Sequence, residues 1–234
     1  MSRLGYKIIP WSILLSLLFL TAPAFGWHDK THLAVAQAAG YEGWYNAAGP
    51  DVTKTKAKDI EDGNHYFNND AKAYVTEKMV LDQVQRYNTT KDEEGHLYGA
   101  IIASVKDYKN EKKKGKYAEY HLAFCAHYIG DLSMPLHNAP YGEFNKKHHT
   151  EEDGVVEFSV LNNIGFIQRN IYEIKIKDEN GLAREIARIA NISRQLAYKM
   201  EARGKGMSQD EAYKQLFHSA SLLKAVLEYV KGTK

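Results

Sequence analysis

The chain has 234 residues, 44% of them hydrophobic and 26% charged, with a formal net charge of +2 at pH 7. This length allows one domain with a substantial core, and the near balance of charge excludes the electrostatic footprint of a protein that binds duplex nucleic acid. The single cysteine, Cys125, excludes an intramolecular disulfide, and we expect this residue to pack within a helix.

Residues 1–26 have the layout of a secretory signal peptide. Arg3 and Lys7 form a basic start, residues 11–20 are an apolar run, and a small-residue pattern ends at Gly26. The alternative is an N-terminal membrane anchor, but the apolar stretch only just reaches spanning length and contains two prolines. Cleavage before Trp27 predicts a secreted or periplasmic protein whose single domain is residues 27–234.

Helical periodicity runs through most of residues 27–234, whereas the alternation of apolar and polar residues that indicates strands is almost absent. Gly40, Gly115 and Pro135 mark helix ends, and Ser208 ahead of two acidic residues marks a helix start. The predicted fold class is therefore all-α, as a single compact multi-helix domain. We expect helices at 32–39, 71–87, 94–111, 117–131, 150–168, 182–201 and 208–230, with loops concentrated at 40–69 and 133–149.

Histidines and acids recur at helical spacing on both sides of Pro135. His127 and Asp131 are four residues apart, so a helix presents both on one face. A second histidine and acid repeat that spacing at residues 149 and 153, and a further histidine lies between the pairs at residue 137. Nitrogen and oxygen donors without thiolates favour zinc in a hydrolytic role over a structural zinc site. The spacing therefore predicts a metal centre.

The segment from His127 to His137 (HYIGDLSMPLH), followed by a histidine and an acid four residues apart, resembles the zinc-dependent phospholipase C and single-strand-specific nuclease superfamily. The resemblance covers nearly all of residues 27–234. Members of that superfamily begin the mature chain with a tryptophan whose free amine and carbonyl oxygen bind zinc, and Trp27 follows the predicted cleavage site here. The resemblance thus implies a helical domain with a cluster of three Zn²⁺ ions per chain.

The resemblance also implies how the ligands are shared among the three zinc ions. An aspartate about fourteen residues before a histidine is part of the pattern, and Asp51 has this relation to His65, although Asp59 and Asp62 are nearby competitors. The implied sets are Asp51, His65, His127 and Asp131 for the first zinc, His137, His149 and Asp153 for the second, and Trp27, His32 and Asp131 for the third.

For the second zinc, His148 with Glu152 has the same spacing as the preferred pair at 149 and 153, so this alternative stays open. The implied chemistry is attack by a water or hydroxide between the first two zinc ions, while the third orients the phosphate. The expected catalytic residues are Asp131, as the bridging ligand, and Asp51, as a second carboxylate that steers the proton of the attacking water.

The substrate class is less sharply implied. Phosphatidylcholine-cleaving members have an acid and an aromatic residue where this chain has Lys30 and Val52, and nucleases have an aromatic residue where it has Tyr66 but an acid where it has Asn68. We favour a phospholipase C-like phosphodiesterase acting on a phospholipid or another phosphodiester, with contact to a membrane surface. The alternatives are a single-strand-specific nuclease or nucleotidase, and an exported zinc-binding protein without catalysis.

Overall fold

The computed structural model describes residues 27–69 and 73–232, and the predicted signal peptide lies outside them. Within these ranges the chain is all-α, as predicted, and no residue belongs to a strand. None of the helices in the described ranges combines the length and the apolar character needed to span a lipid bilayer. The helices are α1 (Asp29–Ala38), α2 (Gly49–Lys54), α3 (Lys58–Glu61), α4 (Glu77–Asp82), α5 (Leu97–Lys113), α6 (Glu119–Ser133), α7 (Glu143–Asp153), α8 (Ile164–Arg169), α9 (Glu179–Arg203) and α10 (Gln209–Lys231).

Helix α6 is the centre of the domain. It packs against α5 and also contacts α1, α2, α9 and α10. Every residue from Cys125 to Ser133 is buried, which is typical of a helix surrounded by others rather than one lying at a surface. The thiol of Cys125 is fully buried and packs as predicted, with Sγ 3.9 Å from the carbonyl oxygen of Ile101.

Two apolar clusters flank this helix. One lies between α5, α6, the first half of α9 and the second half of α10. The other lies between α1, α8, the second half of α9 and the first half of α10. Helix α10 begins at a capping box, because the Ser208 side chain accepts from the Glu211 backbone while the Glu211 side chain accepts from the Ser208 backbone. This start matches the prediction from the sequence.

Several predicted boundaries are wrong. The helix expected at 150–168 begins at Glu143 and ends at Asp153, and the segment after it forms a turn before the short helix α8. The first two residues of the helix expected at 71–87 lie outside the described ranges, and the rest of that segment contains only α4 and a 3-10 turn. Thr76 caps the start of α4 by accepting from the Met79 backbone. The presumed loop at 40–69 contains α2, α3 and two 3-10 turns.

Candidate metal centre

Helix α6 supplies the two most central polar residues of the domain. His127 and Asp131 lie one turn apart and are both fully buried, with His127 Nε2 3.3 Å from Asp131 Oδ2. The other ring nitrogen, His127 Nδ1, lies 2.8 Å from the carbonyl oxygen of Ala47. A carbonyl can only accept a hydrogen bond, so Nδ1 carries a proton and, in a neutral ring, Nε2 presents its lone pair to the centre.

The first group of candidate ligands consists of Asp51, His65 and His127, whose ligand atoms lie within 4.8 Å of one another. Asp51 Oδ1 is 3.6 Å from His127 Nε2 and 3.9 Å from His65 Nδ1, and the two ring nitrogens are 3.2 Å apart. Asp131 Oδ2 is 2.9 Å from His65 Nδ1. The four ligands expected for the first zinc therefore converge, although they come from α2, from the residue that follows a 3-10 turn, and from α6.

The second group consists of His137, His149 and Asp153. His137 Nε2 and His149 Nε2 face each other at 3.1 Å, and Asp153 Oδ2 is 3.5 Å from His149 Nε2. Both histidines donate their Nδ1 protons to fixed oxygen atoms, namely the His65 carbonyl at 2.6 Å and Asn145 Oδ1 at 2.6 Å. The Asn145 amide cannot be reversed, because its nitrogen donates to the Leu136 carbonyl at 2.8 Å.

These hydrogen bonds provide a test of whether a metal ion fits. With both Nδ1 atoms protonated, the neutral rings of His137 and His149 point lone pairs at each other across 3.1 Å, which is repulsive unless a cation lies between them. Two nitrogens bound tetrahedrally to zinc at about 2.0–2.1 Å are roughly 3.3 Å apart. The observed separation agrees with this value, so the second group fits a zinc ion.

The third group consists of His32, His127 and Asp131. His32 Nε2 is 3.5 Å from Asp131 Oδ1, and its ring stacks on that of His127 with centroids 3.7 Å apart. Both nitrogens of His32 are buried and make no hydrogen bond to the described residues. Buried polar atoms of this kind are rare in folded proteins, and a metal ion would satisfy one of them.

Trp27, the remaining ligand expected for the third zinc, lies five residues before His32 in the chain. Its side chain is fully buried, and the indole Nε1 donates to Ser133 Oγ at 3.4 Å. The residue before it lies outside the described ranges, so the proposed role of a free amine stays a prediction.

The electrostatics of the centre favour positive charge near Asp131. Burial lowers the pKa of His127, but the carboxylates of Asp51 and Asp131 outweigh this effect and raise it to about 9. Burial raises the pKa of Asp131, yet the nearby His127 and His137 hold it well below its ordinary value. The position between these side chains therefore attracts a cation, and a metal ion would replace the proton on His127.

His137 and His149 behave in the opposite way. Burial and, for His149, the nearby His137 lower both pKa values, to about 4 for His137, and the charge of Lys54 contributes to both shifts. Both rings are neutral at pH 7, which is the form that binds metal.

The alternative ligands considered in the sequence analysis belong to none of the three groups. Asp59 is exposed, and Asp62 Oδ1 lies 3.7 Å from Lys54 Nζ. Glu152 is buried but accepts from the Met207 backbone at 2.8 Å, and His148 lies 3.9 Å from Glu151 on the outer side of α7. The structure thus places Asp51, rather than Asp59 or Asp62, and His149 with Asp153, rather than His148 with Glu152, in the candidate ligand groups.

A cavity of about 350 Å³ adjoins the second group. His137 and His149 form part of its wall, and the rings of Tyr66 and Tyr141 line it as well. Asp62 and Glu93 add carboxylates near its edge. A compound of the size of a phosphate monoester or a small headgroup fits this space beside the metal ligands.

Sequence analysis did not identify four residues that shape the centre. Lys54 and Glu61 are buried near the ligands, Asn145 orients His149, and Gly130 allows the close approach of His32. Two of them had a detectable signal. Asn145 lies four residues before His149, which repeats the ligand spacing, and Gly130 interrupts an otherwise apolar helix between two ligands.

A scan against models of known protein families finds none that matches the chain. A search of curated proteins also finds no match.

Proposed function

We propose that this protein is an exported zinc-dependent phosphoric ester hydrolase of the phospholipase C and nuclease superfamily. The observation that carries the proposal is the presence of three adjacent ligand groups made only of nitrogen and oxygen donors, two of which share His127 while Asp131 reaches into both. Ligand sets without thiolates that open on a cavity are typical of catalytic rather than structural zinc. Zinc ions held in this way supply Lewis acidity and lower the pKa of water towards neutrality.

The residues of the chain have distinct expected roles. Asp131 is fully buried and offers one oxygen to each side, with Oδ2 facing His65 and His127 and Oδ1 facing His32. Asp51 is the most exposed of the carboxylates, with 21% of its side chain accessible. A partly exposed carboxylate among the ligands can accept a proton from an attacking water molecule.

Lys54 is the cation suited to bind the phosphate. It is buried 3.7 Å from Asp62, a residue that lines the cavity, and its charge acts on His137 and His149. A buried ammonium group beside an anion site stabilises charge that develops on phosphate oxygens during transfer. This role supports a phosphate ester over an uncharged ester or amide.

We favour a phospholipid headgroup ester as the substrate. Val52, next to the ligand Asp51, is 63% exposed, and Tyr141 at the cavity is 43% exposed. Apolar side chains presented beside the site suit a substrate held at a membrane surface. One observation favours a nuclease instead, because the Tyr66 ring lines the cavity and can stack on a base.

The test combines metal content with a substrate comparison. The chain beginning at Trp27 is analysed for zinc and assayed on a chromogenic phosphodiester, on phospholipid vesicles and on single-stranded DNA. His149→Gln is the variant of the centre, and His218→Gln is its control, since His218 lies in α10 and pairs with Tyr172 at 2.7 Å. We expect about three zinc ions and loss of turnover only in His149→Gln. Bound zinc without turnover of any of these substrates would overturn the hydrolase and indicate a zinc-binding protein without catalysis. Absence of zinc would overturn the whole proposal.

A further inference from the structure

A buried carboxylate that belongs to none of the three ligand groups lies behind His65. Glu61, at the end of α3, is only 3% exposed, and its Oε1 is 3.4 Å from His65 Nε2. Tyr128 donates to the same oxygen at 2.5 Å, and Asn64 Nδ2 donates to Oε2 at 3.3 Å. Burying a carboxylate is costly unless it is hydrogen-bonded or serves a charged partner. Glu61 therefore needs a reason to face this histidine.

We propose that Glu61 is the positioning residue of His65 and sets the affinity of the first zinc site. The inference rests on the proposed function, because it assumes that zinc binds there. His65 directs its two nitrogens in opposite directions, with Nδ1 towards Asp131 and His127 and Nε2 towards Glu61. A neutral imidazole has one N–H and one lone pair. Nε2 is buried and makes no hydrogen bond to the described residues, so a proton on it has the Glu61 carboxylate, 3.4 Å away, as its counter-charge. That charge favours the proton on Nε2 and leaves the lone pair of Nδ1 for the metal.

His65 differs from three other histidine ligands in the group that contacts its outward ring nitrogen. His127, His137 and His149 donate to neutral oxygens, namely two backbone carbonyls and one amide. His137 Nδ1 also lies 3.6 Å from Asp131 Oδ1, but its hydrogen bond goes to the His65 carbonyl. Among these four, His65 alone has no neutral acceptor on its outward nitrogen and has a carboxylate beside it instead, which makes the ring a more basic and stronger ligand. We therefore expect the first site to hold its zinc more tightly because of Glu61.

The surroundings fix the carboxylate in place. Tyr128 follows the ligand His127 in α6, so one helix supplies both a metal ligand and the hydroxyl that orients Glu61. Asn64 is held in turn by His96, whose Nε2 is 2.7 Å from Asn64 Oδ1. His96 reaches this position because residue 63 is glycine, where a Cβ would lie 2.9 Å from the His96 ring.

The experiment measures zinc affinity in Glu61→Gln by competition with a chromophoric chelator. Glutamine keeps the size of the side chain, but its amide nitrogen meets donors where the carboxylate accepted. We expect one of the zinc ions to bind 10- to 100-fold more weakly. Glu61→Asp keeps the charge and should recover part of that loss. Asn191→Ala removes a buried side chain that bonds the Val75 and Ala187 backbones and none of the candidate ligands, so it controls for lost stability and should keep wild-type affinity.

A second readout reports on the ring of His65 itself. In the zinc-loaded protein, NMR of labelled histidine should show a slowly exchanging proton on His65 Nε2, and this proton should exchange faster in Glu61→Gln. If Glu61→Gln does not fold, Tyr128→Phe removes the orienting hydroxyl while keeping the ring, and it should weaken the same zinc ion by a smaller factor.

The outcomes separate this inference from the proposed function. Wild-type affinity in Glu61→Gln, with an unchanged Nε2 proton, overturns the positioning role alone. A weaker first site in a protein that turns over no phosphodiester supports the positioning role and overturns the hydrolase. A wild-type chain that binds no zinc overturns both.

Discussion

Gly130 lies in α6 between the ligands His127 and Asp131, and its replacement tests how tightly the third ligand group is packed. A Cβ at this position would lie 2.5 Å from His32 Nδ1 and 2.8 Å from His32 Cε1. The His32 ring cannot move aside easily, because it is 1% exposed and stacks on His127 at 3.7 Å. We therefore expect Gly130→Ala to displace His32 and remove the third zinc.

Two opposing effects determine the stability of Gly130→Ala. Alanine in a helix interior stabilises by about 1 kcal/mol relative to glycine, whereas overpacking a buried site costs about 1–3 kcal/mol. With a contact as short as 2.5 Å to a buried ring, we expect the second effect to dominate, with a net loss of roughly 1 kcal/mol in zinc-free protein.

The assay is urea unfolding in the presence of a chelator, together with zinc analysis of the loaded protein. Gly165→Ala in α8 is the matched control, since a Cβ there meets only the flexible end of Arg169 at 3.4 Å. The double variant His32→Ala with Gly130→Ala removes the clash, so the two changes should couple by about 1–3 kcal/mol. A Gly130→Ala protein that is more stable than wild type and retains all its zinc would refute this account of the packing.

Asp131→Asn should lower zinc content more than any other single ligand change, because both carboxylate oxygens face candidate metal ligands. Elemental analysis measures the zinc content, and a full complement of zinc in this variant would contradict the shared role of Asp131. One extra residue before Trp27 should remove one zinc of three, since an amide nitrogen cannot replace the free amine, and unchanged content would disprove the amine as a ligand. Hydrogen bonds from Arg203 and Ser208 lower the pKa of Glu211 from 4.5 to about 2, so this group stabilises the fold above pH 4.5 and the contribution disappears as pH falls towards 2. In zinc-free protein, Glu211→Gln should therefore be less stable than wild type at pH 6, and unfolding curves should show the difference shrinking on acidification; a constant difference would contradict the pKa shift.

Local spacing made the central histidine and aspartate pairs predictable. His127 with Asp131 and His149 with Asp153 lie one turn apart on α6 and α7, and a four-residue separation in a helix determines that geometry without any tertiary information. The all-α fold class was predictable for the same reason, because helical periodicity depends on each segment by itself.

The boundaries of α7 were missed for a physical reason. Its buried residues are Asn145, His149, Glu152 and Asp153, all of them polar. A helix whose inner face holds metal ligands has no apolar stripe, so the hydrophobic period that identifies ordinary helices is absent from it. The helices within residues 40–69 were missed for another reason. They have only three to six residues, which is too short to show a helical repeat of apolar positions.

The burial of Lys54 and Glu61 could not be predicted from the sequence. Both residue types are almost always exposed. Both are buried here because α2 packs against α6 and α3 packs against α2, which brings Glu61 to Tyr128 of α6. Their proximity to the ligands is a property of tertiary structure, which no spacing in the chain encodes.

The ligand groups also join distant parts of a chain that has one cysteine and therefore no internal disulfide. Asp51 and His127 are 76 positions apart in the chain, so a metal ion bound by both closes a loop of that length. A covalent cross-link over such a length reduces the entropy of the unfolded chain by the equivalent of about 4 kcal/mol. Zinc would then act as a cross-link that forms under reducing and oxidising conditions alike, and one that a chelator, rather than a reductant, would open.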